Sequence, residues 1–437
     1  MSGNSTVEEN NDDCRSIWSR ARRSHIGIAG VVALTLFTDM LVYGVVIPCL
    51  PKLVIDRLKG NSTMVGFLFG CYAFGLLVAT PVFAILSDRY ENRRYPMMGG
   101  MLGLSISTLA FAMADTYALL VLARVAQGVA GGASWTIGLG LLADVFPTNK
   151  LGTVMGTVLT AHTVGFALGP AIGGILYEYG GFSAPFLFCT GFAVINFLGI
   201  LWLAEPTKMK QKKNIIDQGV ADETTPLIAK KDCEKPLTMI DLLKNWRILS
   251  CVLCTIVSAS VFSGIEPSLP IHLQMVFNAS ASTIGFIFVT MVVPAFLAPL
   301  IGHLSDKIGR QVISATGMIM MAISAPFIAI NYSTIYWIIP SLMIFGLSSP
   351  VIMTPILPEM GETVNDMGGA AYAQVYALYN MAYSIGMFIG PVIAGFIMSA
   401  AGFKTLMFIF SLALFICSPI MVNWTAIFRK IKTTLYH

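Results

Sequence analysis

Apolar runs of about 20 residues or more recur along this chain, separated by short polar breaks. This feature narrows the fold more than any other. An α-helix of about 20 apolar residues crosses about 30 Å of hydrocarbon at about 1.5 Å per residue. Within lipid, a helix satisfies its own backbone hydrogen bonds, as that surrounding demands. The runs lack period-2 alternation, so a β-barrel is not expected. The spans are placed near residues 26–50, 63–87, 96–115, 117–145, 151–177 and 183–204. After a polar stretch, six more lie near 247–274, 282–304, 311–331, 335–358, 368–399 and 401–425. The expected fold class is an all-α membrane protein with twelve transmembrane helices in two six-helix halves.

Composition supports this. Only 11% of the 437 residues are charged and 56% are hydrophobic, whereas a soluble domain carries about 25% charged residues. A soluble enzyme, a disordered chain and a nucleic-acid binder are excluded on that ground. The expected organisation is a cytosolic tail (1–24), an N-terminal half (25–204), a cytosolic linker (205–245), a C-terminal half (246–425) and a cytosolic tail (426–437). The first tail has mixed charge and lacks the basic start and cleavage site of a signal peptide, so the first helix is read as retained.

Basic residues give a direction across the membrane. Of 27 lysines and arginines, 22 fall on the side of the N-terminus, which this reading places in the cytosol. Lys52, Arg57, Lys59 and Lys404 fall on the other side, and Arg124 alone lies within a helix. The sequons at Asn61, Asn278 and Asn331 all fall in outer or luminal loops and are candidate glycosylation sites. Cys251-x-x-Cys254 has metal-like spacing but sits in an apolar helix with no second ligand pair, so no metal or other cofactor is expected.

The halves repeat at an offset of about 220 residues. Ile-Pro-Cys-Leu-Pro (47–51) matches Glu-Pro-Ser-Leu-Pro (266–270). Ala-Ile-Leu-Ser-Asp-Arg (84–89) matches Gly-His-Leu-Ser-Asp-Lys (302–307). The segment from Gly165 to Gly174 matches that from Gly386 to Gly395. Two related halves place a substrate site near the midplane between them, with rocking as the expected motion.

These residues resemble a known family. Asp88-Arg89 with the arginines that follow, and Gly302, Asp306 and Arg310, resemble the loop signature of the major facilitator superfamily. Arg124-Val-Ala-Gln127-Gly128 resembles its helix-4 motif, and Gly165, Gly169 and Pro170 resemble the helix-5 motif of its drug:proton antiporters. The resemblance covers nearly all of residues 25–425. It implies a major facilitator fold, in which Asp88 and Asp306 act as cytosolic gate elements. Ala84 departs from the pattern, which usually has Gly there. Within the branch, the segments around Asp39, Glu266 and Gly169 are similar to vesicular amine transporters, which exchange amines for protons. Their helix-11 carboxylate corresponds to Asn380 here, their helix-10 acid falls near Pro350, and their helix-2 lysine corresponds to Tyr72.

Ionisable residues inside spans carry the functional reading, because an acid at a helix centre costs about 2.5–3.5 kcal/mol on insertion scales. Asp39 lies about 20 Å into the first helix. It is read as binding either a proton or a cationic substrate, the alternative being a helix-to-helix contact. Glu266 precedes Pro267 and Pro270, which bend the helix. It is read as a proton-exchanging group, or else as a glutamate in a wet outer vestibule. Arg124 requires an acceptor from a carboxylate or carbonyls. The resemblance gives it a part in proton coupling, and a structural network with Gln127 is the alternative.

Tyr372, Tyr376, Tyr379 and Tyr383 share one face of helix 11 with Asn380 and could offer rings and hydroxyls to an ammonium or aromatic substrate. Tyr43, Tyr72 and His162 are weaker candidates. Gly390 and Pro391 repeat the glycine-proline face of helix 5, and both copies are read as mechanical elements of gating. Glu223, Leu227 and Ile228 fit an acidic dileucine sorting pattern.

The expected function is proton-coupled antiport of an organic cation or drug-like amine out of the cytosol, with substrate, protons and the bilayer as partners and a monomer as the working unit. The expected location is a vacuolar, vesicular or plasma membrane, with both termini in the cytosol. A porter of neutral or anionic solutes and a non-transporting receptor remain as alternatives. An enzyme is not expected, because no nucleophile–base arrangement or phosphate loop is found.

Overall fold

The computed structural model describes residues 24–89, 93–202, 239–367 and 372–421. In the first half, helix α1 spans His25–Lys52 and runs on as a π-helical turn, Leu53–Arg57. It is followed by α2 (Ser62–Arg89), α3 (Arg94–Ala112), α4 (Tyr117–Val145), α5 (Thr148–Gly180) and α6 (Ser183–Trp202). A short helical turn, Met239–Lys244, precedes the second half. There, α7 spans Trp246–Phe277, α8 spans Ala281–Ile308 with a 3-10 stretch at Val293–Leu297, α9 spans Arg310–Ile328 and α10 spans Ile339–Asp366.

The final helical run, Tyr372–Met421, has 50 residues, about 75 Å of helix and more than twice the hydrocarbon thickness. Gly402 breaks it with φ 81 and ψ 173, a left-handed conformation that favours glycine. The run is therefore two spans, α11 (372–401) and α12 (403–421). Among the described residues, eleven helical runs are long and apolar enough to cross a membrane, and the break at Gly402 within the last of them makes the spans twelve. No strand occurs among the described residues.

Local signals set the ends. Side-chain oxygens of Ser24, Thr116, Asn245 and Ser280 accept from backbone N–H groups in the first turns of α1, α4, α7 and α8. Asn278 ends α7 in the left-handed conformation, and Gly309, with φ 121, separates α8 from α9. One boundary differs clearly from the sequence reading. Helix α10 continues past residue 358 to Asp366 and takes Pro350, Pro355 and Pro358 in its stride. Its acidic last turns are held by arginines on neighbouring helices: Arg247 pairs with Glu359 at 2.7 Å and with Asp366 at 3.0 Å, and Arg310 pairs with Glu362 at 2.7 Å. Paired charge lets the helix continue beyond the apolar belt.

We call the end bearing the α1–α2 connection the outer end, following the basic-residue asymmetry. The two halves pack alike. Helix α1 lies on α5 and α2 on α4; α7 lies on α11 and α8 on α10. Gly165 abuts the carbonyl of Phe37, and a methyl on Gly169 would stand 2.7 Å from Gly44 Cα. Their counterpart Gly386 would place a methyl 2.7 Å from the Ile256 carbonyl. Gly128 meets the Tyr72 carbonyl, as Gly346 meets that of Met291. Arg93 pairs with Asp144 at 2.7 Å, as Arg310 pairs with Glu362.

The halves meet along two seams, α2 against α11 and α5 against α8. At one, Gly66 abuts the carbonyl of Pro391; at the other, Gly285 abuts the carbonyl of Pro170. Both prolines belong to the motifs read as mechanical, while the glycines facing them were not singled out from sequence. Hydrogen bonds between halves that join described residues are Tyr43–Glu266, Asp56–Gln274, Thr63–Gly395 and Glu178–Ser282. All lie between the membrane middle and the outer end. The molecule is thus tied shut at its outer end.

Candidate functional site

The first helix sets up the site. Asp39 and Tyr43 are one helical turn apart, so their side chains share a face of α1. Both are buried, with Asp39 3% exposed. The Tyr72 hydroxyl, from α2, donates to Asp39 Oδ2 at 3.3 Å. Asp39 Oδ1 has no hydrogen-bond partner. The carboxylate rests over Gly131 of α4, where a methyl would stand 2.9 Å from Oδ1 and 2.7 Å from the Tyr72 hydroxyl. A bare backbone therefore makes room for the acid.

Glu266 reaches this cluster from the other half. It is 3% exposed, so the wet-vestibule alternative does not describe it. Its Oε2 accepts a short hydrogen bond from the Tyr43 hydroxyl. The Tyr43 and Tyr72 rings lie 4.7 Å apart between centroids. Each carboxylate is thus held by a phenol, and the two phenols touch each other.

Arg124 of α4 lies beneath both rings and is fully buried. Its Nη1 donates to Gln127 Oε1 at 3.2 Å, and Gln127 Nε2 donates to Thr108 Oγ1 at 3.1 Å. The guanidinium lies 5.6 Å from the Tyr43 ring centre, 5.3 Å from Phe69, 5.7 Å from Tyr72 and 5.8 Å from Phe111. Aromatic faces attract a desolvated cation. The acceptor is the side-chain carbonyl of Gln127, as in the network read as the alternative, and the ring cage completes the surroundings. Arg124 makes no ion pair with a described acid, and its Nε and Nη2 have no hydrogen-bond partner. Asp39 and Glu266 likewise make no ion pair among the described residues.

From α11, Tyr383 is 37% exposed and within electrostatic reach of Glu266. Tyr379 is half-buried and its hydroxyl lies 3.8 Å from Met353 Sδ of α10. Asn380 is half-buried beside them. The side chains of Tyr372, Tyr376, Asp88 and Arg89 lie outside what the structure describes, as do Glu223, Leu227 and Ile228.

Other sequence candidates fall elsewhere. Asp306 accepts from Arg310 Nη2 at 3.1 Å near the start of α9, and Arg310 Nη1 also donates to the Pro358 carbonyl at 3.2 Å. This second gate signature is bonded within its own half. A methyl on Gly302 would stand 3.5 Å from Thr354 Cγ2. Gly390 abuts the Ser260 carbonyl. His162 packs edge-on against Trp135 at 5.1 Å. Asn61 caps α2 by accepting from Met64 N at 3.0 Å, Asn278 caps α7, and Asn331 lies exposed before α10. Cys254 Sγ lies 3.7 Å from Cys417 Sγ, and no group of metal-binding residues occurs among the described residues.

Sequence reasoning ranked Tyr43 and Tyr72 below the helix-11 tyrosines. The signal that would have raised Tyr43 is its four-residue spacing from Asp39 on one helix face. It also missed Glu359, a buried acid held by Arg247 and by Gln311 Nε2 at 2.6 Å.

The family model described as Major Facilitator Superfamily matches residues 32–357 and 251–433. An uncharacterised MFS-type transporter of Schizosaccharomyces pombe is 27% identical over 440 residues, covering 93% of this chain and 97% of that protein. The chromaffin granule amine transporter of Rattus norvegicus is 29% identical over 375 residues, covering 84% of this chain and 66% of that protein. Among solved structures, a bacterial homologue of the human lysosomal transporter Spinster, in an inward-facing and occupied conformation, aligns with a TM-score of 0.73. It is 14% identical, covering 90% of this chain and 95% of that one, which speaks to the fold.

Proposed function

Because this chain belongs to the major facilitator superfamily, a family of transporters, we propose that it exchanges protons for an organic cation, moving the cation out of the cytosol by alternating access. The observation that carries this reading is the pair of buried carboxylates in opposite halves, Asp39 and Glu266. Each is hydrogen-bonded by a phenol and neither is neutralised by Arg124 or by a lysine. A buried carboxylate with no cation of its own must be compensated by a proton or by a cationic ligand. Competition between the two for one site is antiport.

In this mechanism Asp39 and Glu266 bind the cation or the proton. Tyr379, Asn380 and Tyr383 line the cation's approach from α11, where the phenol rings attract an ammonium. Arg124 supplies a fixed positive charge beneath the two phenols and sets how readily the acids give up a proton. Rocking about the two glycine-proline seams carries the site from one side to the other. The amine transporters that resemble this chain support an amine as the cation class. A vesicular, vacuolar or plasma membrane, cytosolic termini and a monomer complete the reading.

The test is uptake into proteoliposomes under an imposed pH gradient, using cationic dyes, amines, polyamines and neutral drugs. Cation accumulation driven by the gradient is expected, with loss of coupled accumulation in Asp39→Asn. Gradient-independent behaviour across the panel, or full coupling in Asp39→Asn, overturns the reading.

A further inference from the structure

The Tyr43–Glu266 bond joins the two halves at the level of the site itself. The other inter-half bonds lie nearer the outer end: Asp56–Gln274, Thr63–Gly395 and Glu178–Ser282. Tyr43 belongs to the half that carries Asp39 and Arg124, whereas Glu266 belongs to the other. Opening of the outer end must separate these halves, and with them this pair.

We propose that Tyr43 is a positioning residue that locks the empty carrier: its phenol holds ionised Glu266 and keeps the outer end closed until a proton or a cation takes over that carboxylate. This inference rests on the antiport reading and concerns what prevents its failure. An antiporter whose empty, ionised form could reorient would let its cargo run down a gradient without exchange. A hydrogen bond to a charged acceptor is roughly twice as strong as a neutral one. The tie is therefore strong when Glu266 is charged and vacant, and weak when Glu266 is protonated or engaged by a cation. On the outer side a proton from water binds the Glu266 carboxylate; on the inner side that proton leaves to water as the cation binds.

The groups facing Glu266 fit this role. From α1 comes Tyr43, from α4 the Arg124 guanidinium, from α2 the Tyr72 phenol and from α11 Tyr383. None is a carboxylate that would repel Glu266. The Tyr43 ring is fixed by Tyr72 at 4.7 Å, Phe166 at 6.1 Å and Phe69 at 6.4 Å. Its hydroxyl is therefore aimed by packing that phenylalanine would reproduce.

Spin labels at Tyr179→Cys and Met275→Cys, 86% and 68% exposed at the outer ends of α5 and α7, report opening of the outer end. They are placed in a full-length chain carrying Cys14→Ser and Cys233→Ser. With the site empty, Tyr43→Phe is expected to raise the widely separated population by about tenfold, the weight of one hydrogen bond to a charged group. Glu266→Gln is expected to shift it in the same direction. In proteoliposomes, Tyr43→Phe should keep downhill cation uptake but lose several-fold in accumulation under a pH gradient.

Unchanged distances in Tyr43→Phe overturn the proposal, and so does a shift seen only in Glu266→Gln. If Tyr43→Phe widens the outer end while the unaltered chain accumulates no cation, the tie stands and the antiport reading fails. If the unaltered chain accumulates cation and Tyr43→Phe changes neither distance nor accumulation, the antiport reading stands and the tie fails.

Discussion

The Tyr72 hydroxyl of α2 donates to Asp39 Oδ2 of α1 at 3.3 Å. A neutral donor satisfies part of the acid's hydrogen-bonding capacity and leaves its charge uncompensated. Tyr72→Phe removes the donor and should weaken the site by about 1.5–3 kcal/mol, the range for a hydrogen bond to a charged group. The KM for cation uptake, measured at several external pH values, is expected to move about tenfold or more with little change in thermal stability. Tyr72→Lys should instead neutralise Asp39 and suppress cation uptake while leaving protein levels intact.

Gly131 supplies a test by volume alone. A methyl there would stand 2.9 Å from Asp39 Oδ1 and 2.7 Å from the Tyr72 hydroxyl. Gly131→Ala should therefore reduce transport by tenfold or more, since displaced binding groups cost about that much. At Gly99, where a methyl meets nothing within 4 Å, alanine should leave transport and melting temperature near those of the unaltered chain. Equal effects at the two positions, measured by flux and thermal unfolding in detergent, would contradict this account.

Arg124 illustrates what was and was not legible in the sequence. Its isolation within an apolar helix marked it at once, as the insertion cost marked Asp39 and Glu266. The spans followed from the apolar runs, because a bilayer leaves the backbone few alternatives. The partners did not follow. A lone arginine asks for an acceptor, but sequence does not say that four rings from α1, α2 and α3 converge on it. Likewise the helix-5 and helix-11 motifs showed where backbones approach, yet Gly66 and Gly285, which receive the proline carbonyls, belong to no motif read beforehand. The boundary between the last two spans, read near residue 400 from the sequence, falls at Gly402 within a 50-residue helical run. Pairings across the fold require coordinates; costs of burial require only a sequence.

The ring cage makes Arg124→Lys a demanding substitution. Lysine keeps the charge but loses the planar face that stacks on aromatics and the fork that reaches Gln127. Loss of the cage contacts should cost about 2 kcal/mol, read as a lower melting temperature, and coupled flux should fall more than tenfold. Retention of both would show that charge alone suffices there.

At the inner end, Arg247 and Gln311 hold the buried carboxylate of Glu359. Arg247→Ala removes the cation and leaves that acid inside the fold. Breaking such a pair costs about 3 kcal/mol, so thermal unfolding should occur markedly earlier. Because Glu359 lies away from the Asp39–Glu266 cluster in sequence and in bonding, the KM of the surviving protein should be unchanged.

The distribution of the buried charges has an electrical consequence. The half that carries Asp39 and Arg124 holds one acid and one cation that sum to no net charge without forming an ion pair, while Glu266 stands in the other half with no cation among its bonded partners. When the halves rock, the uncompensated carboxylate crosses part of the membrane field. Moving one elementary charge through 100 mV is worth about 2.3 kcal/mol. Reorientation with Glu266 ionised and vacant therefore feels the membrane potential, and reorientation with Glu266 protonated or paired to a cation does not. With the Tyr43 tie removed, a voltage clamp on the membrane that holds Tyr43→Phe would read the charge of one glutamate as a current.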